Sequence, residues 1–157
     1  MTNFSQVGLL LHIIGLTAIA GATLTGYITS RQFRNHYTQD KQKGFAIMQA
    51  VSKLPRVAAI GMGLLILSGI MMVAASKGIY GQQLWFKVKM IFVILIIVAT
   101  IVRGRLDKRL QKEVLDDIAH GNRTGEIGKL VGRLANVQLF ILSFLLIIFV
   151  LAVFRFN

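Results

Sequence analysis

The chain is expected to be all-α: a polytopic integral membrane protein built as an antiparallel four-helix transmembrane bundle, its third helix extended into the cytoplasm. Three observations lead there. Of the 157 residues 55 % are apolar, and they collect in four runs, about 7–28, 57–75, 84–102 and 134–154. Each is close to the ~20 residues that cross a bilayer as a helix. The acids Asp40, Asp107, Glu113, Asp116, Asp117 and Glu126 all fall between those runs. Fourteen of the eighteen Lys and Arg residues lie in 31–56 and 103–133, the two connections that an up-down topology places on one side. The whole chain, 1–157, reads as one membrane domain.

Basic connections stay inside. Both termini are therefore expected on the extracytoplasmic side of a bacterial-type cytoplasmic (inner) membrane, crossed several times. The net charge of +12 sits beside apolar runs, where it meets anionic headgroups rather than nucleic acid. No nucleic-acid partner is expected. The chain has no Cys, which removes thiolate metal sites, thiol nucleophiles and a disulfide framework.

The first helix is expected from Val7 to about Thr29. Its run is too long for a signal-peptide core and lacks a basic leader, so it reads as a retained span. After a polar stretch, Ile47, Val51 and Leu54 share one helical face, which suits a short interfacial helix over 45–54. Pro55 fits the first turn of the second span, where its missing N–H costs little. The short outer connection 76–83 predicts that the second and third spans are antiparallel neighbours. Leu106, Leu110, Val114 and Ile118 recur every four residues, so the third helix should continue to about Gly121. The last span follows a further basic stretch.

Inward faces follow from periodicity. His12, Gly15, Ile19, Ala22 and Gly26 form a stripe of mostly small residues on the first helix, which allows close helix approach or room for a flat ligand. Ala58, Met62, Leu65, Gly69 and Met72 form the second, and Lys89, Phe92, Ile96 and Ala99 the third. Lys87 is about 200° around the helix from Lys89, so only one of them points inward. Lys87, nearer the water, can snorkel outward; Lys89 is the inward candidate.

A cation at membrane depth costs roughly 2.5–3.5 kcal/mol and is usually kept for a partner. His12, Met72 and Lys89 are expected to converge at the outer end of the bundle. An imidazole and a thioether are axial ligands for haem iron, and an ammonium holds a propionate. The candidate site is therefore His12 and Met72 as metal ligands, Lys89 as the anion partner, and Gly15 and Gly69 as space for haem b. Each residue also has a plainer use. His12 can donate a helix–helix hydrogen bond, Met71, Met72 and Met90 can fill packing gaps, and Lys89 can reach headgroup phosphate. Tyr80 and Trp85 suit an aromatic belt. Asn136 suits a hydrogen bond across helices. His36 and His120 lie in polar turns.

The segment Leu11-His12-Ile13-Ile14-Gly15 resembles the first span of HemJ-type protoporphyrinogen oxidases, and of the similar CopD-like copper-resistance domains and DUF2269-type proteins. The run from Tyr80 to Met90 resembles the start of the third span in HemJ-type proteins, and Arg133-Leu134-Ala135-Asn136 the start of their last. The resemblance implies that His12 is the haem-associated histidine and Lys89 the third-span lysine. It also implies oxidation of protoporphyrinogen IX with a membrane acceptor such as quinone. Lys87 stands where those oxidases tend to have His, and Val137 where an acid commonly follows Asn. The alternative expectation is a non-enzymatic accessory subunit of a larger membrane complex, or a homo-oligomer, packed through the small-residue faces.

Overall fold

The computed structural model describes residues 3–37, 39–75, 83–121 and 124–153, and these are almost entirely helical. Five helices follow one another: α1 (Asn3–Tyr37), α2 (Lys41–Ala50), α3 (Leu54–Ala75), α4 (Leu84–His120) and α5 (Thr124–Val153). The four long ones make the expected all-α antiparallel bundle. By length and composition, Gln6–Tyr37, Lys41–Ala75 and Gly125–Leu151 are long and apolar enough to cross a membrane. In α4 the uncharged stretch is 90–102, bounded by Lys89 and Arg103. Large side chains such as Ile60, Ile70, Ile91 and Leu146 are more than half exposed, which suits contact with lipid rather than water. The protein is a membrane bundle.

Two buried cores stack along its axis. One lies at the level of the apolar runs and contains Ile19, Ile96, Ala99, Ile141, Leu145 and Ile148. The other lies at the basic end and contains Phe33, Tyr37, Leu110, Val114, Ile127, Leu130, Val131 and Leu134. That second core corrects two expected boundaries. The first helix continues past Thr29 to Tyr37, because Phe33 and Tyr37, stacked with their ring centroids 5.0 Å apart, are buried there. The last helix starts at Thr124, ahead of the run at 134, because Ile127, Leu130, Val131 and Leu134 keep one face apolar. As expected, α4 runs unbroken to His120 and stops at Gly121, whose φ of 75° is the left-handed cap that glycine adopts without strain. Near that stop the buried face turns to Asp117, leaving Ile118 exposed.

The interfacial helix is also shifted. It spans Lys41–Ala50, with Asp40 as N-cap accepting from the Gln42 and Lys43 amides at 3.0 and 3.2 Å. Those bonds hold the Asp40 carboxyl below the usual carboxylate range, the Lys43 amide contributing most. Phe45, Ile47 and Met48 lie on the basic-end core. Gly44 meets Tyr37 so closely that a Cβ there would stand 2.7 Å from the ring.

Helix order differs from the simple up-down neighbour rule. The main contacts are α1 with α2, α3 and α5, and α4 with α5. The long helices therefore touch in the order α3–α1–α5–α4, and α3 is not a principal neighbour of α4. The α1–α3 contact is close because glycine faces glycine. A Cβ at Gly15 would stand 2.8 Å from the Gly61 carbonyl, and one at Gly61 would stand 2.9 Å from the Gly15 carbonyl. Small residues let membrane helices approach at backbone distance.

Candidate functional site

The α1 stripe from His12 to Gly26 does face inward: Gly15, Ile19, Ala22 and Gly26 are buried and His12 is half-buried. On α3 the buried positions are Ala58, Gly61 and Ser68, so that face is rotated slightly from the expected one. Ser68 is fully buried and lies 3.0 Å from His12 Nδ1. Its own proton goes to the Leu65 carbonyl at 3.0 Å. The serine oxygen therefore accepts, His12 Nδ1 donates, and the neutral ring keeps its lone pair on Nε2. Sequence reasoning passed over Ser68, although it lies three and seven residues beyond Leu65 and Gly61 on the same face.

Lys89 is half-buried and Lys87 exposed, so the two lysines face apart as their offset requires. The Lys89 ammonium is close enough to interact electrostatically with the His12 ring. Met72 lies one turn beyond Ser68, its Cγ 3.4 Å from where a Gly8 Cβ would be. The two candidate glycines differ. Gly15 is taken up by the contact with α3, while nothing lies within 4 Å of a Cβ at Gly69. A flat ligand near His12 therefore cannot lie between α1 and α3. On its other flank α1 meets α4 through side chains such as Arg103 rather than through close backbone contact. Met71 is half-buried and Met90 largely exposed, as are His36 and His120. Tyr80 and the side chain of Trp85 lie outside the described residues.

A second polar cluster was not expected. Arg103, only 4 % exposed, reaches from α4 to α1, donating through Nη1 to Thr23 Oγ1 at 3.2 Å and through Nη2 to the Ala22 carbonyl at 3.4 Å. Its Nε forms an ion pair with Asp107 Oδ2 at 3.8 Å, too far for a hydrogen bond, and neither buried atom has a hydrogen-bond partner. Burial pushes the Asp107 carboxyl up, and the Arg103 charge partly offsets this. Ser30 donates to the Gly26 carbonyl at 2.8 Å and lies 3.2 Å from Gln138 Oε1. With the serine proton committed, the Gln138 amide turned so that its –NH2 faces Ser30 satisfies both groups. Gln138 is thus the bridge across helices, whereas Asn136, expected in that role, is exposed. A cavity of about 60 Å³ adjoins Arg103, Asp107, Ser30 and Gln138, room for only a few waters.

The third cluster ties α2 down. Asp117, fully buried on α4, accepts from Tyr37 Oη at 2.6 Å and pairs with Lys41 Nζ at 2.9 Å. The acids therefore do not all stay in solvent: Asp117 is inside the basic-end core. Among the described residues no group of three or more His, Cys, Asp or Glu side chains is placed to hold a metal ion. No known family model, curated protein or solved structure matches the chain.

Proposed function

We propose that the protein is a membrane redox component that binds a haem-type tetrapyrrole at the His12 end of the bundle. The observation that carries this reading is the Ser68–His12 hydrogen bond. Orienting a histidine through Nδ1 and leaving Nε2 as the free donor is how proteins prepare an imidazole for a metal. Lys89, within electrostatic range of the ring, would supply the cation for a propionate, and Met72, one turn beyond Ser68, would be a thioether donor at the same end of the bundle. With α1 and α3 in close contact at Gly15 and Gly61, a macrocycle would lie on the α4 flank. If bound there, haem b would supply one-electron chemistry, while the chain's residues would hold and orient it. Oxidation of protoporphyrinogen IX, which passes six electrons and six protons to three quinones to give three quinols, would use the same anchors with the tetrapyrrole as substrate. The clustering of basic residues supports an inner-membrane orientation with both termini extracytoplasmic.

The alternative, an accessory subunit of a larger complex or a homo-oligomer, is favoured by one feature. Only 17 % of the most apolar window of the Lys41–Ala75 stretch is buried, so α3 has a long free face for a protein neighbour or lipid.

A reduced-minus-oxidised spectrum of the haem-supplied protein in mild detergent separates the two. The proposal expects a Soret band that His12→Ala abolishes, Ser68→Ala shifts or weakens, and His120→Ala leaves intact. Lys89→Met should lower pigment occupancy more than Lys87→Met. A folded, colourless wild-type protein that co-purifies with a partner would replace this reading with the subunit one.

A further inference from the structure

We propose that the groove between α1 and α5 at the basic end is a seat for the phosphate of an anionic phospholipid, independent of any cofactor at His12. The groove encloses about 130 Å³ and is lined by Tyr27, Ser30, Arg31 and Arg34 from α1 and by Val131, Gly132, Ala135, Asn136 and Leu139 from α5.

Its chemistry is one-sided. Two guanidinium groups and an amide line it, and no acid does. Among the described residues neither Arg31 nor Arg34 has a carboxylate within 4 Å. The Arg31 guanidinium instead lies 5.2 Å from the centre of the Tyr27 ring, which orients the fork without neutralising it. Arg31 and Arg34 are three residues apart and so share a helix face. Planar guanidinium forks match phosphate oxygens in a bidentate way that ammonium groups do not. Opposite them, Gly132 and Ala135 are small enough to make the wall concave, and Asn136 is exposed at the rim.

Position selects a lipid over a free anion. The apolar run of α1 ends at about residue 28 and that of α5 begins at about 134, so the groove straddles the boundary where headgroups lie. Directly below it, Leu24, Ile28 and Leu139 are each about half exposed (50 %, 49 % and 50 %). Leu24 precedes Arg31 by two helical turns on the same stripe, a track for an acyl chain beneath the phosphate. Headgroup and chain contacts are thus continuous, an arrangement a free phosphate would not use.

The test is lipid retention by the full-length protein in detergent. Phosphatidylglycerol or phosphatidylcholine is added, excess is removed by size exclusion, and bound lipid is quantified, with inorganic phosphate as competitor. Phosphatidylglycerol should be retained in preference to phosphatidylcholine. The Arg31→Gln/Arg34→Gln pair should reduce its affinity roughly tenfold or more, while Arg56→Gln/Lys112→Gln, equal in charge change but outside the groove, should not. Gly132→Leu keeps every charge and has nothing within 4 Å of its Cβ position to clash with. It should fill the groove and reduce retention with an unchanged melting temperature. Equal losses from the two charge pairs, full retention in Gly132→Leu, or complete displacement by millimolar phosphate would each overturn the lipid seat.

Discussion

At the scale of the residue, Arg103 decides most. A buried guanidinium is stable only if its donors find acceptors, and it finds them on another helix, at Thr23 Oγ1 and the Ala22 carbonyl. Gly26 makes the room, since a Cβ there would lie 2.8 Å from Arg103 Nη2 and 2.7 Å from the Gln138 side-chain amide. Removing one member of a buried pair strands the other, at a cost of about 3–5 kcal/mol, whereas apolar replacement of both is often tolerated. Arg103→Met should therefore destabilise the protein strongly in detergent melting. Arg103→Met/Asp107→Leu should recover part of the loss, a coupling readable in a double-mutant cycle. A double variant less stable than either single one would mean that the pair does not act together.

Among the elements, α2 is the one held least by apolar burial and most by named polar contacts. Its N-cap depends on an ionised Asp40, whose folded pKa is depressed. That contribution is complete above the ordinary value of 3.8 and is lost as pH falls through the lower, folded value. Asp40→Ala should thus speed amide exchange at Gln42 and Lys43 at neutral pH. Asp40→Asn should keep the acceptor while removing the acid sensitivity. Exchange unchanged in the alanine variant would show that Tyr37, Lys41 and Asp117 hold the helix unaided. The contrast with the long helices explains what could be read from sequence. Ile19, Ile96 and Ala99 sit where their periodicity places them, because a helical stripe is local information. The head of α5 carried the same signal in Ile127, Leu130, Val131 and Leu134, spaced three, four and seven apart, but intervening Lys129 and Arg133 made it read as a basic connection. Arg103 and Ser68 were hidden for a different reason. Their significance lies in partners 80 and 56 positions away, and one sequence does not contain that pairing. His12 and Lys89 were legible as ionisable groups inside apolar runs, each near the outer end of its span.

For the whole molecule, length sets the geometry. At 1.5 Å per residue the 37 residues of α4 extend about 55 Å, against about 30 Å of hydrocarbon core. A large part of the helix therefore stands outside the membrane, where it carries the second core. Basic residues crowd that end, so it should face the cytoplasm. Reporter fusions at both termini should then give extracytoplasmic signals, and cytoplasmic signals from both would invert the topology.

The glycine contact between α1 and α3 has a consequence in time. A ribosome releases these helices one after another, and neighbours close in sequence have the first opportunity to meet. The α1–α3 pair needs nothing that comes later, so it can dock while α4 is still being made. When α4 emerges with its arginine, the Thr23 hydroxyl and Ala22 carbonyl are already waiting on a settled surface, and α5 closes the assembly last. A chain stopped after α4 should already contain the finished first pair. The absence of cysteine makes this easy to trap, because a Cβ at Gly8 would lie 3.6 Å from that of Met71, within the 3.5–4.5 Å that a disulfide requires. Gly8→Cys/Met71→Cys should cross-link on mild oxidation in the truncated chain as readily as in the full one. A cross-link that awaited α5 would mean that the bundle assembles all at once.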